Sequence, residues 1–202
     1  MFTFIFAYLE KNYVGKLLDL DKKVYNSEYQ VNKETTLHRL DKNPITDLTV
    51  VNDSDLVGYL TVCPVDDHTY KGIVNHSVSE EEIEQNTLPY DKMGFYNLYL
   101  SSIVIDKETY PYFSGKYLFS FLEKHLFNLR KQGFFVDKIV AFAVSMAGRK
   151  TLMKFGFKEI KDNVFEFSCR KQGLHFIKRN FTLPKIISTI SEQMFIFRSG
   201  WV

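Results

Sequence analysis

Cysteine is scarce in this 202-residue sequence: Cys63 and Cys169 are the only two, and neither sits in a metal-binding spacing. A disulfide framework and a zinc module are therefore not expected, and a reducing, cytoplasmic setting is the simpler assumption. The five histidines, His38, His68, His76, His125 and His175, are scattered without ligand spacing, so no metal site is expected. Among them His125 reads as a solvated or satisfied side chain rather than a catalyst. Charge of one sign is lacking too, since 26 Lys and Arg stand against 24 Asp and Glu, net +2. That balance argues against a dedicated nucleic-acid binder. No apolar run approaches the roughly 20 residues of a membrane helix. The opening MFTFIFAYLEK lacks a basic flank and a small-residue cleavage site, so it reads as a first strand rather than a secretory signal.

Aromatic residues are abundant, with 19 Phe and 12 Tyr, and the length suits one domain with a sizeable core. Charge is unevenly spread. From Cys169 onward Arg170, Lys171, Lys178, Arg179, Lys185 and Arg198 face Glu192 alone, leaving the rest net acidic. We therefore divide the chain into a domain over residues 1–168 and a basic, aromatic extension over 169–202. In the extension Thr182, Pro184, Ile186, Ile187, Ile190 and Met194 fit a capped amphipathic helix that packs on the domain or on a dimer mate.

Within the domain, Val14, Leu17, Leu18 and Val24 indicate a first helix, and a short second helix is expected over Asn32–Leu40, ended by Pro44. Thr46–Val51 and Leu56–Val65 are strand-like runs joined by Asn52-Asp53-Ser54-Asp55, which is hairpin chemistry. Asp66 to Gly94 is a long acidic connection holding Glu80, Glu81, Glu82, Glu84 and Asp91, a length more often functional or mobile than neutral. Leu98–Asp106 is a β-branched and aromatic strand. Leu118, Phe121, Leu122, Leu126 and Leu129 then recur at helical spacing. Lys138–Ser145 reads as another strand, a helix follows to Phe155-Gly156-Phe157, and Asn163–Ser168 closes the sheet.

The Ser114-Gly115-Lys116 turn between strand and helix is the candidate anion site. A strand turning through glycine into a helix exposes unpaired backbone N–H groups at the positive end of the helix dipole. The residues exclude a P-loop, because Tyr110 stands where its first glycine belongs and Tyr117 where Ser or Thr belongs. A dinucleotide fingerprint fails for want of further glycines. Ser101 and Ser102 lack the elbow of a serine hydrolase.

The ordered set "YLSSIVID", a Gly-containing turn with its helix, and "KIVAFAVSMAGRKTLMKFGFKEI" resembles the GNAT N-acetyltransferase superfamily, over about Tyr96–Ser168. The match is looser over residues 1–65, where "LVGYLTV" is similar to the family's third strand. "LSSIVID" with "SMAGRKTLMKFGF" resembles an uncharacterised bacterial branch of that superfamily. The resemblance implies an α/β (α+β) fold: a central mixed, mostly antiparallel sheet of six or seven strands flanked by helices. It also implies transfer of an acetyl group from acetyl-CoA, as cosubstrate, to an amine of a small molecule or peptide.

The family's loop pattern aligns in two registers here, with Gly115 either as the glycine after the Arg or as the first motif glycine. In both, Tyr117 takes a small-residue position. The fourth-helix pattern lands on Ser145, Gly148, Thr151, Leu152, Gly156 and Phe157, so Leu152 replaces the family's tyrosine acid. The carboxylate often found on the fourth strand falls near Tyr99. By the resemblance, Tyr99 and Ser101 would orient a water as proton acceptor, sharing a strand face. Backbone groups of Ile103, Val104 and Ile105 would hold the pantetheine arm. The amides of Ser114, Gly115, Lys116, Tyr117 and Leu118 would hold the pyrophosphate, and Ser145 would contact the cofactor or simply cap its helix. The acidic connection would favour a cationic acceptor. Absence of the usual catalysts leaves open a non-catalytic CoA-binding regulator, or a binding module that uses the basic tail.

Overall fold

Hairpin chemistry at Asn52–Asp55 is realised directly. In the computed structural model, which describes residues 3–174, β2 (Asp47–Asn52) turns into β3 (Asp55–Val65), with Asp53 at φ 52°. Aspartate tolerates this left-handed conformation better than most residues. β1 (Phe4–Tyr8) pairs with β2 at one edge. Between them lie α1 (Val14–Val24), which buries Val14, Leu17 and Leu20 at helical spacing, and α2 (Lys33–Lys42). Asn32 caps α2 by accepting the Thr35 N–H at 2.9 Å.

The acidic connection after β3 is largely helical. Asp66 caps α3 (Asp67–Asn75) through the Thr69 N–H, and Ser79 caps α4 (Glu80–Gln85). Ser79 and Glu82 form a reciprocal capping box, which fixes the start of α4 in so short a helix. The chain continues as β4 (Gly94–Ile105), α5 (Gly115–Lys131), β5 (Phe134–Phe142), α6 (Met146–Lys154), β6 (Lys158–Lys161), β7 (Val164–Ser168) and a turn of helix, α7 (Cys169–Gln172). α3 and the strand β6 were not foreseen; β6 is four exposed residues, too short and polar to show strand alternation. Most of the extension, residues 175–202, with its expected amphipathic helix, lies outside the described residues.

The seven strands form one sheet in the order β1-β2-β3-β4-β5-β7-β6. Among the described residues only β4 and β5 pair in parallel, so the expected mixed, mostly antiparallel sheet is what forms. One face packs against α5 and α6 through Leu98, Leu100, Leu118, Leu122, Ile139 and Leu152. The other face carries two smaller clusters: Leu17, Leu20, Tyr59 and Val104 under α1, and Ile73, Ile83, Tyr99 and Val140 under α3 and α4.

Candidate active site

The centre of the sheet opens into a fork. β4 pairs with β5 from Gly94↔Phe134 to Leu100↔Ala141, yet β4 itself runs on to Ile105. On its other edge β4 stays paired with β3, with Thr61↔Ser102 followed by Val62↔Leu100. Ser101 is thus the extra residue of a β-bulge, which bends the strand where its parallel neighbour leaves. The bulge also interrupts the expected alternation. Beyond Tyr99 the same face is taken up by Val104 under α1, while Ile103 and Ile105 pack toward α5.

Which backbone groups the fork exposes follows from the ladder. Asp106 N–H donates to the Val57 carbonyl at 2.9 Å, so Asp106 and Val57 form a hydrogen-bonded antiparallel pair. Stepping back by two, Val104 and Ser102 also direct their main-chain groups to β3, opposite Tyr59 and Thr61. Ile103 and Ile105 therefore direct theirs to the open edge. Of the three residues expected to hold a pantetheine arm, Val104 has its backbone committed to β3.

Beyond the fork, residues 106–114 form a braced loop rather than a loose one. Asp106 accepts the Thr109 N–H and hydroxyl, both at 3.0 Å, and pairs with Lys23 at 3.4 Å. Lys107 donates to the carbonyls of Pro111, at 3.2 Å, and Phe113. Tyr110 and Phe113 are buried plugs, whereas Tyr112 is 97% exposed. Ser114 caps α5, accepting the Lys116 N–H at 3.4 Å on its hydroxyl and the Tyr117 N–H at 3.0 Å on its carbonyl. Gly115 is the first helical residue, and its φ is not positive. Ser145 caps α6 through the Gly148 N–H at 3.1 Å. Leu152 is 3% exposed and serves packing.

Opposite α5, a polar cluster lines the fork. The Tyr99 hydroxyl, on a residue 2% exposed, donates to Glu80 Oε1 at the start of α4. Burial raises the pKa of Glu80, the Tyr99 hydrogen bond pulls the other way, and nearby Glu84 raises it further. As a residue Glu80 stays open to solvent, while its carboxyl reaches inward to Tyr99. Tyr25, just past α1, lies close to the Ile103 N–H and the Ser102 hydroxyl and feels both Asp21 and Glu80. Asp21 accepts from the Tyr59 hydroxyl and, at 3.1 Å, from the Val31 N–H. Burial raises its pKa against these bonds and the charge of Arg39. Tyr99 was expected here; Glu80 was noted only as part of an acidic run, and Tyr25 and Asp21 were missed. Among the described residues, no group of three or more His, Cys, Asp and Glu is arranged to hold a metal, and no helix is long and apolar enough to cross a membrane.

The bulged, forked β4, the capped helix that follows it and the sheet order define the GNAT fold. An acetyltransferase of the GNAT family from Staphylococcus aureus Mu50 superposes with a TM-score of 0.56 at 12% identity, over 83% of this chain and 100% of that one. The loading GNATL domain of CurA from Lyngbya majuscula matches with a TM-score of 0.55 at 16% identity, over 69% of this chain and 64% of that one. The PaiA N-acetyltransferase from Thermoplasma acidophilum, solved with coenzyme A, gives 0.52 at 15% identity, over 82% and 99%. No protein-family model and no curated protein matches the sequence.

Proposed function

We propose that this protein is an acyl-CoA-dependent N-acyltransferase that uses acetyl-CoA to acetylate an amine of a small molecule or peptide. The observation that carries this reading is the fork: an edge of β4 offering the main-chain groups of Ile103 and Ile105, directly ahead of the N-terminus of α5. A strand edge that no other strand among the described residues takes up suits an extended chain bearing amides, which pairs with it as another strand would. A helix N-terminus suits the phosphates at the other end of such a ligand. A GNAT-fold acetyltransferase and a GNAT-like decarboxylase have been solved with CoA ligands, coenzyme A and isobutyryl-CoA respectively, which supports the same class of ligand here.

The residues present fit that ligand in part. Ile103 and Ile105 would pair with the pantetheine arm, Gly115 and its neighbours on α5 would face the pyrophosphate, and Ser145 lies at the start of α6. The thioester supplies an activated acyl group, and the chain must supply a deprotonated amine. An amine of pKa about 10.4 is neutral in only about one molecule in 2,500 at pH 7, a cost of about 4.6 kcal/mol. Carboxylates beside the fork would offset part of it and attract a cationic acceptor. Calorimetry with CoA and with dephospho-CoA tests the reading. Roughly micromolar binding is expected, with a melting temperature that climbs with ligand concentration. No binding at millimolar CoA would leave a degenerate, non-catalytic GNAT-fold regulator as the better account.

A further inference from the structure

The acidic connection between β3 and β4 does more than set a surface potential. Its helix α4 begins at Glu80, and the capping box at Ser79 holds that first turn in place. α4 is also tied from beneath, because buried Arg39 of α2 bonds Glu84 one turn later. Glu80 is thereby held over β4 at Tyr99, which pairs with Val140 one step before the last rung of the parallel ladder. Tyr99 stands near the place where the family resemblance expects a carboxylate.

We propose that Glu80, presented by this insertion and oriented by Tyr99, accepts the proton of the acceptor amine. The assignment rests on the acyltransferase reading. Three observations converge on it. Glu80 takes the Tyr99 hydrogen bond through Oε1, and no ion pair with it is found among the described residues, since Arg39 is spent on Asp47 and Glu84. Tyr99, to which Glu80 is bonded, pairs with Val140 one rung before the β4–β5 ladder ends, so the carboxyl stands beside the fork. Finally, Glu80 is an exposed residue although its carboxyl turns inward, so solvent lies close by to take the proton onward.

The step balances simply. The ammonium N–H bond breaks and the proton passes to the Glu80 carboxylate. The freed nitrogen lone pair then forms the C–N bond at the thioester carbonyl, and the C–S electron pair leaves on sulfur. The nitrogen's next proton neutralises the thiolate, and Glu80 returns its proton to water. The titratable groups facing Glu80 are Tyr99 of β4, Tyr25 after α1 and Glu84 of α4. Beside Tyr99 on β3 lies its cross-strand partner Cys63. None is a cation, so each that charges raises the Glu80 pKa, and burial acts in the same direction.

Two measurements decide it. Carbon NMR of chains labelled at glutamate Cδ, with Glu80→Gln identifying the signal, should place the Glu80 midpoint above the ordinary glutamate value. In Tyr99→Phe that midpoint should move higher still, because the lost bond had favoured the charged form. Amine-dependent thiol release from acetyl-CoA is then followed across pH with spermidine and with a short lysine peptide. Glu80→Gln should lower kcat by about a hundredfold or more, erase the acidic limb and leave the KM for acetyl-CoA unchanged. Glu80→Asp should recover part of the rate, and Tyr99→Phe should lower the plateau by less than Glu80→Gln does while shifting the limb upward. A Glu80 midpoint at the ordinary value overturns the assignment. So does a Glu80→Gln rate within about threefold of wild type, or CoA binding without amine-dependent release. If the wild type fails to bind CoA at all, the acyltransferase reading itself falls.

Discussion

Gly115 illustrates how a residue's meaning changes between sequence and structure. At a strand–turn–helix junction a glycine can serve either a positive φ or a close backbone approach, and Gly115 adopts ordinary helical geometry at the first position of α5. A Cβ there would touch only Ile105 Cδ1, at 3.8 Å, an ordinary contact. The fold therefore tolerates a larger residue, and what glycine leaves is room for a ligand against the backbone. Gly115→Val is expected to melt within a few degrees of wild type while weakening CoA binding about tenfold, equivalent to about 1.4 kcal/mol. Unchanged affinity in calorimetry would move the phosphate site elsewhere. Gly156 is the opposite case. At φ 89° it ends α6 in a left-handed turn, with Phe157 N–H returning to the Leu152 carbonyl at 3.1 Å.

Between elements, the decisive contact is the one that ties α2 to α4. Arg39, 1% exposed, bonds Asp47 of β2, with Nη2–Oδ1 at 3.0 Å, and Glu84 of α4. Asp47 is further satisfied by the hydroxyls of Thr61 at 2.6 Å and Thr46 at 2.9 Å. Among the described residues Glu84 Oε2 has no hydrogen-bond partner. Removing the arginine would leave two carboxylates buried without their cation. Arg39→Met is therefore expected to cost about 3–5 kcal/mol in urea denaturation, and the triple change with Asp47→Leu and Glu84→Met should recover most of it. A loss below about 1 kcal/mol for the single change would mean that α4 is held by Ile83 packing instead. Because α4 carries Glu80, the same ion network bears on the candidate chemistry.

For the whole molecule, the consequence of burying polar groups is a pH dependence of folding. His125, under β1 on α5, is 1% exposed, with Nδ1 2.8 Å from the Tyr8 hydroxyl and Nε2 without a hydrogen-bond partner among the described residues. Burial lowers its pKa from 6.5 to about 3. Between those values the unfolded chain binds a proton that the folded chain refuses, so stability falls as pH drops through that window. The loss reaches about 1.4 kcal/mol per pH unit where the difference is complete. Asp21, Glu80 and Glu84, whose pKa values burial raises, act oppositely, since the folded chain holds their protons more readily. His125→Phe isolates the histidine: the stability difference between pH 7 and pH 5 should shrink relative to wild type. An unchanged difference would show that His125 is solvated in solution.

Sequence patterning alone determined the succession of elements around the fork. Amphipathic α5, the apolar run of β4, the hairpin turn at Asn52–Asp55 and the caps at Ser79, Ser114 and Ser145 are local consequences of side-chain size, spacing and hydrogen-bonding capacity. The resemblance drawn from "YLSSIVID" and "SMAGRKTLMKFGF" extended this to the GNAT fold, because those stretches carry the forked end of β4 and the Gly-ended helix α6. What the sequence could not settle was which residues meet. Ser101 as a bulge, Val104 turned to β3 and Glu80 set on Tyr99 all depend on strand register and on where α4 docks. The last of these joins positions 19 residues apart in the chain. His125 likewise resembled any polar residue on an amphipathic helix until β1 and Tyr8 closed over it. Register and docking arise from non-local packing, whose free energy is shared among many side chains and marked in none of them.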